Sequence, residues 1–76
     1  MDEDLYKELS LDYRVKCAIR SKNAKELDVL SKDICPYIRK FVASNLYTRK
    51  ATIKKLANDE SISVRESALK NPKFAS

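Results

Sequence analysis

The sequence predicts an all-α fold, a short α-solenoid built from about three helical-hairpin repeats. One pattern occurs three times: a leucine, an acidic residue three positions later and, nine positions after the leucine, an arginine that follows a hydrophobic residue. Its members are Leu5, Glu8 and Arg14, then Leu30, Asp33 and Arg39, then Leu56, Asp59 and Arg65. The pattern recurs after 25 and then 26 residues. This period is typical of solenoids, in which each unit buries its apolar face against its neighbours.

The 76 residues are expected to form one domain, since 43% hydrophobic and 36% charged residues fit a globular chain. We divide the chain approximately into segment one (residues 2–26), segment two (27–52) and segment three (53–76). Each segment is predicted to contain a short helix, a tight turn and a second helix. The helices are predicted near residues 3–9, 12–22, 24–32, 36–44, 49–57 and 62–70.

Polar residues and one proline mark the predicted helix starts. Asn23, with Glu26 three residues later, forms a capping-box pattern. Pro36 suits the first turn of a helix, where its missing N–H is harmless. Thr48 is expected to cap the helix that begins at Arg49.

Asparagine is the expected helix terminator. The chain contains no glycine, the residue that most often supplies the left-handed φ of a helix end, and asparagine is the next most tolerant residue. Asn45 and Asn71 lie 26 residues apart and are predicted to end the second helices of segments two and three.

Apolar residues at helical spacing predict the buried faces. Ile38, Phe41 and Val42 follow the i, i+3, i+4 spacing of one helix face. Related positions in the other second helices, and leucine or isoleucine pairs in the first helices, complete the predicted core: Tyr13, Cys17, Ala18, Val64, Ala68, Leu69, Leu5, Leu9, Leu27, Leu30, Ile53 and Leu56.

These motifs resemble the leucine-rich repeat variant, a HEAT-like helical repeat family. Segment three carries Leu56-Ala57, Asp59, Val64-Arg65, Ala68 and Asn71-Pro72, and segment two carries Leu30, Asp33, Ile38-Arg39, Val42-Ala43, Asn45 and Thr48. Segment one keeps only Leu5, Glu8, Tyr13 and Arg14, and Leu46 and Arg49 stand where the family favours proline. The resemblance implies an all-helical, right-handed solenoid.

The repeated acids and arginines are interpreted as structural residues. Each acid precedes an arginine by six positions: Glu8 and Arg14, Asp33 and Arg39, Asp59 and Arg65. Such a pair is expected to tie the turn between two helices, because a carboxylate accepts bonds from both backbone N–H groups and a guanidinium. A functional role for these arginines is the alternative.

Positive charge is concentrated in segments two and three. Residues 1–26 carry six basic and six acidic residues, residues 27–52 carry five and two, and residues 53–76 carry five and three. Such an excess attracts acidic surfaces or phosphates. The predicted partner-binding residues are Arg49, Lys50, Lys54, Lys55, Lys40, Tyr37, Tyr47 and Phe41. A solvated face, with aromatic residues that cap a small core, is the alternative.

No residue pattern indicates an enzyme, a cofactor or a metal site. The chain has no histidine and no glycine, which excludes phosphate loops and nucleophile elbows. Cys17 and Cys35 match no zinc or redox spacing and are expected to be small buried hydrophobes, with a disulfide as the alternative. No apolar run approaches the roughly 20 residues that span a bilayer, so a cytoplasmic protein without a membrane partner is expected.

The sequence therefore favours a small non-enzymatic helical-repeat binding module, an adaptor or an inhibitor. It is expected to bind an acidic protein surface through the basic face of segments two and three. Nucleic-acid phosphates are the alternative partner for the same face. A third interpretation is a structural fragment whose stacking continues in another chain, including a homo-oligomer stacked end to end.

Overall fold

The computed structural model describes residues 8–76, which form helices joined by short turns, without a β-strand. The helices are α1 (Leu11–Arg20), α2 (Ala24–Leu30), α3 (Pro36–Ser44), α4 (Lys50–Leu56), α5 (Ile62–Lys70) and α6 (Pro72–Ala75). The first five begin and end within two residues of the predicted bounds. The helix predicted near residues 3–9, which includes Leu5, lies mostly outside the described residues. The sequence analysis did not predict α6.

The helix starts confirm two of the three predicted caps. Asn23 Oδ1 accepts hydrogen bonds from the backbone N–H groups of Lys25 (2.9 Å) and Glu26 (3.2 Å), and Pro36 is the first residue of α3. The predicted cap at Thr48 is wrong. Its hydroxyl is buried and donates to the Val42 carbonyl at 2.7 Å, at the end of the preceding helix. Thr48 therefore fastens the turn between α3 and α4 and does not cap α4.

Asn45 and Asn71 end α3 and α5 as predicted, but for a different physical reason. Their φ angles are −76° and −70°, in extended backbone, and no residue between 8 and 76 has a positive φ. The expected left-handed helix end is therefore wrong. The two side chains are almost fully buried, at 8% and 5% exposure, so their amide groups must find partners inside the protein.

The core lies where the helices face one another, and α3 packs against both α1 and α5. Ten apolar residues are buried: Ala18, Leu27, Leu30, Ile38, Val42, Ala43, Ile53, Leu56, Val64 and Ala68. Cys17 and Phe41 are partly buried against this core. The predictions for Leu9, Tyr13 and Leu69 are wrong, since all three are exposed. Leu9 precedes α1, and α1 and α5 carry the other two on either side of α3.

No helix within residues 8–76 has the length and apolar character that a membrane span requires.

Candidate functional site

Two buried asparagines connect successive segments. Asn45 Nδ2 donates to the carbonyls of Ala18 and Ser21, each at 3.0 Å. Asn71 Nδ2 donates in the same way to the carbonyls of Ala43 (2.9 Å) and Asn45 (3.2 Å). Each side-chain Oδ1 also accepts the backbone N–H two residues later, at 2.8 Å and 3.0 Å. Each asparagine thus joins the end of the preceding segment's second helix to the turn after its own.

The arginines make a second set of contacts between segments. Arg39 Nε lies 2.8 Å from Asp59 Oδ2, and Arg39 Nη2 lies 3.1 Å from Asp59 Oδ1, which is a bidentate pair. Arg14 Nη1 lies 3.5 Å from Asp33 Oδ2. The predicted pairing between the acid and the arginine of one segment is therefore wrong for Asp33 and Asp59. Each carboxylate meets the arginine of the preceding segment.

Within one segment the arginine contacts main-chain oxygen instead. Arg39 Nη1 donates to the Asp33 carbonyl at 2.7 Å, and Arg65 Nη1 donates to the Asp59 carbonyl at 2.8 Å. The expectation that the carboxylates accept backbone N–H groups is confirmed, by the Cys35 N–H at Asp33 and the Ser61 N–H at Asp59, both 2.9 Å. The turn is tied as expected, but through a carbonyl oxygen. Glu8 is exposed.

The buried pair changes the acidity of both partners. Burial tends to raise the pKa of Asp59, but hydrogen bonds from Arg39 and from the Ser61 N–H outweigh burial and hold that pKa below its usual value. The hydrogen bond to Asp59 raises the pKa of Arg39. Both groups are therefore charged at neutral pH.

A cleft of about 320 Å³ lies between α2 and α4, and we call it the lysine groove. Its lining residues are Asp28, Ser31, Lys32, Arg49, Thr52, Lys55, Leu56 and Asp59. The two carboxylates of the groove have partners within the chain. Asp28 accepts from the Arg49 guanidinium and from Thr52 Oγ1 (2.5 Å), while Asp59 is bound by Arg39.

The predicted partner-binding residues do not share one cleft. Arg49 and Lys55 line the lysine groove, and Lys50 and Lys54 are exposed on the same helix, α4. The remaining predicted residues lie elsewhere: Tyr37 and Lys40 in a cleft of about 310 Å³ with Pro36 and Ser63, Tyr47 in one of about 330 Å³ with Arg20 and Lys22, and Phe41 against the core. The structure therefore brings the cations of α4 together and separates them from the aromatic residues.

The sequence analysis missed Lys32, Asp28 and Thr52 in the groove. A signal for Asp28 was present, because the 26-residue step places it opposite Lys54, so it breaks the repeat pattern. The bond between Asp28 and Thr52 joins residues 24 positions apart, and no local pattern indicates such a contact.

Both cysteines are free thiols that are partly buried beside the core. Burial, and the negative charge of Glu26, raise the pKa of Cys17 against the effect of a hydrogen bond with Tyr13. Cys17 is therefore a protonated, weakly nucleophilic thiol at neutral pH. Within residues 8–76, no three cysteine, aspartate or glutamate side chains lie together in a way that would hold a metal ion.

The chain matches no protein-family model, no curated protein and no solved structure. Its likeness to the leucine-rich repeat variant therefore rests on the motifs alone.

Proposed function

We propose that the three segments are successive hairpin repeats of a right-handed α-solenoid, of the kind that the family resemblance implies. The support lies in contacts that recur with the sequence period. Asn45 and Asn71 use the same amide atoms on carbonyls 25 residues apart, those of Ala18 and Ala43. Arg14 and Arg39 each reach the acid of the following segment. A repeated contact of this type makes neighbouring segments interact by one rule.

We propose further that the protein is a non-enzymatic binding module, an adaptor or an inhibitor, that binds an acidic protein surface through its basic face. The observation that carries this proposal is the charge state of the lysine groove. Lys32, Arg49 and Lys55 line it together with two carboxylates, Asp28 and Asp59. Because Arg39 lies against Asp59 as well, four cations face two anions, and both anions already have cationic partners. The net positive charge remains for a partner.

A protein partner fits this groove better than a nucleic acid does. A phosphate backbone presents a long row of charges, and aromatic residues that stack bases normally lie among the cations. Here Tyr37 and Tyr47 line other clefts, apart from the groove. The groove also offers hydroxyl groups, those of Ser31 and Thr52, between its charges. Short acidic side chains beside polar groups match this mixture.

Reduced thiols are the normal state of cysteines in the cytoplasm. The proposed module is therefore placed there, since Cys17 and Cys35 are both free.

The test is the binding of a fluorescent glutamate-rich peptide, measured by anisotropy at low and near-physiological salt. We expect the triple variant K50Q/K54Q/K55Q to lose peptide binding and to keep its helical circular dichroism, because exposed substitutions change stability by only about 0.5 kcal/mol each. Arg49 is left in place because it holds Asp28. The matched control is K16Q/K22Q/K25Q, which removes three exposed lysines outside the groove. Equal losses in both variants would remove the groove from the proposal.

Labelled duplex and single-stranded oligonucleotides test the alternative partner in the same assay. We expect weak duplex binding without sequence preference and a steep salt dependence, with a slope of about −0.9 per phosphate neutralised and only about three to five phosphates involved. Tight binding that survives the higher salt and discriminates between sequences would instead support a nucleic-acid-binding protein.

A further inference from the structure

Two positions of the repeat are buried or exposed according to which neighbour is present. The residue four positions after the arginine is fully buried in Ala18 and Ala43, but Leu69 is 54% exposed. The residue before the arginine shows the reverse order, since Ile38 and Val64 are fully buried and Tyr13 is 53% exposed. The following segment therefore covers the first position, and the preceding segment covers the second.

The hydrogen-bonding groups of segment three follow the same rule. Arg14 and Arg39 each face a carboxylate of the next segment, whereas Arg65 donates to the Asp59 carbonyl of its own segment. The carbonyls of Leu69 and Asn71 correspond, 26 residues on, to those of Ala43 and Asn45, which accept the Asn71 amide. Segment three thus presents an apolar side chain, a guanidinium and two carbonyls where a further segment would bind. We call this surface the C-terminal end.

The opposite surface, at segment one, carries complementary groups in the same register, and we call it the N-terminal end. Glu8 occupies the position of Asp33 and Asp59, six residues before an arginine, and it is exposed. Arg20 occupies the position of Asn45 and Asn71, six residues after an arginine, and is also exposed. A guanidinium there can donate to carbonyl oxygens, as the asparagine amides do.

The net charges of the two ends are also opposite. Residues 1–12 contain five acidic residues and one basic residue, a net charge of −4. Residues 62–76 contain three basic residues and one acidic residue, a net charge of +2. Opposite charge guides two surfaces into contact and sets their orientation.

We propose that the C-terminal end of one copy of this chain binds the N-terminal end of a second copy. In this head-to-tail contact Tyr13 of the second copy covers Leu69, Glu8 pairs with Arg65, and Arg20 donates to the carbonyls of Leu69 and Asn71. The two surfaces differ, so the contact is heterologous, and each pair leaves one end of each kind open for further copies. This assembly does not use the lysine groove and stands independently of the proposed function.

The test uses one variant at each end and measures mass against protein concentration by sedimentation. The wild type is expected to grow in average mass as concentration rises to the millimolar range. Leu69→Asp blocks the C-terminal end, and Tyr13→Asp blocks the N-terminal end while placing an acid in the first turn of α1, where acids are tolerated. Each variant alone is expected to remain monomeric. Ile34→Asp, at a side chain that is 90% exposed in another turn, is the control and is expected to associate like the wild type.

An equimolar mixture of the two end variants separates this proposal from other modes of association. The Tyr13→Asp chain keeps its C-terminal end and the Leu69→Asp chain keeps its N-terminal end, so the mixture is expected to form a heterodimer and to stop there. A wild type that stays monomeric over the whole range would overturn the proposal. So would association that survives in either single variant, or a mixture that remains monomeric, since a symmetric interface behaves in that way. Circular dichroism of each variant shows that it is folded.

Discussion

Arg39 holds two segments at once, and this double role determines what its loss would cost. Its guanidinium donates to the Asp33 and Ile34 carbonyls, at 2.7 Å and 3.0 Å, and to both oxygens of Asp59. The Arg39 and Asp59 side chains are only 11% and 10% exposed. Removing one partner of such a pair leaves the other charge without compensation inside the protein.

Asp59→Ala is therefore expected to lower the free energy of unfolding by about 3–5 kcal/mol, the usual cost of breaking a buried ion pair. Chemical denaturation followed by circular dichroism measures it. The matched control is Glu60→Ala, which removes the neighbouring acid that lies 3.9 Å from Arg39 and is 91% exposed. The control should change stability by no more than about 0.5 kcal/mol. Equal unfolding midpoints for wild type and Asp59→Ala would show that the pair does not stabilise the fold.

The same carboxyl predicts a loss of stability in acid. The pKa of Asp59 is lower in the folded protein than the usual value of about 3.9, so the unfolded chain binds the proton more readily. The stabilisation from Asp59 is fully present above about pH 4 and is lost as the pH falls through the folded pKa. Urea denaturation at several pH values below 5 should show a smaller loss for Asp59→Asn than for the wild type. Parallel pH curves would contradict the assignment.

At the scale of the helix, the sequence predicted where elements lie better than how they are held. The bounds of α3 and α5 follow from the spacing of apolar residues and from Pro36, Asn45 and Asn71. The role of Thr48 was misplaced because a buried hydroxyl was taken for a helix cap. The asparagine contacts, which span 24 to 28 residues, depend on the stacking of segments and leave no trace in local sequence.

The candidate site was predictable only in part, for a related reason. Arg49 and Lys55 lie near each other in the chain and in the groove. Lys32 comes from the preceding segment and joins them only through the packing of α2 beside α4. Tyr37 and Tyr47 lie near the same cations in sequence, but the turns before α3 and α4 place them at other clefts.

The charge pattern of α4 predicts a trade-off between stability and binding. The helix begins at Lys50, has no acid in its first turn, and carries Lys54 one turn later. A cation at a helix N-terminus opposes the helix dipole, and like charges at i, i+4 repel. Lys50→Glu is therefore expected to stabilise the protein by about 0.3–1 kcal/mol and to weaken binding of the glutamate-rich peptide.

Thermal denaturation and the anisotropy assay measure the two effects on one sample. Lys50→Gln, which removes the charge without adding an acid, should fall between the wild type and Lys50→Glu in both measurements. A lower melting temperature for Lys50→Glu would mean that Lys50 has a structural partner.

At the scale of the whole molecule, the two contacts between segments are unequal. Asp59 receives two hydrogen bonds from Arg39, whereas Asp33 has a single 3.5 Å contact with Arg14. Within the described residues, Arg14 Nε is buried without a hydrogen-bond partner. A buried donor without a partner weakens the structure around it. Segment one is therefore held to segment two less firmly than segment two is held to segment three.

Native-state hydrogen exchange should show this inequality as a difference in opening free energy. We expect the amides of α1 to exchange faster than those of α3 and α5, after correction for intrinsic rates, because local opening follows the weaker contacts. Arg39→Lys, which cannot form the bidentate pair, should reduce the difference by loosening the firmer contact. Uniform protection across α1, α3 and α5 would contradict the inequality.

The buried asparagines also give this chain a unit of growth. Because Asn71 repeats the bonds of Asn45 one segment later, duplicating residues 46–71 directly after Asn71 would supply a new asparagine to the Leu69 and Asn71 carbonyls and a new aspartate to Arg65. No junction would need redesign, since every bond at the new boundary already exists at the old one. A protein engineer could lengthen the molecule in 26-residue steps. Its thermal stability should then rise with each added unit, as the number of neighbouring contacts increases.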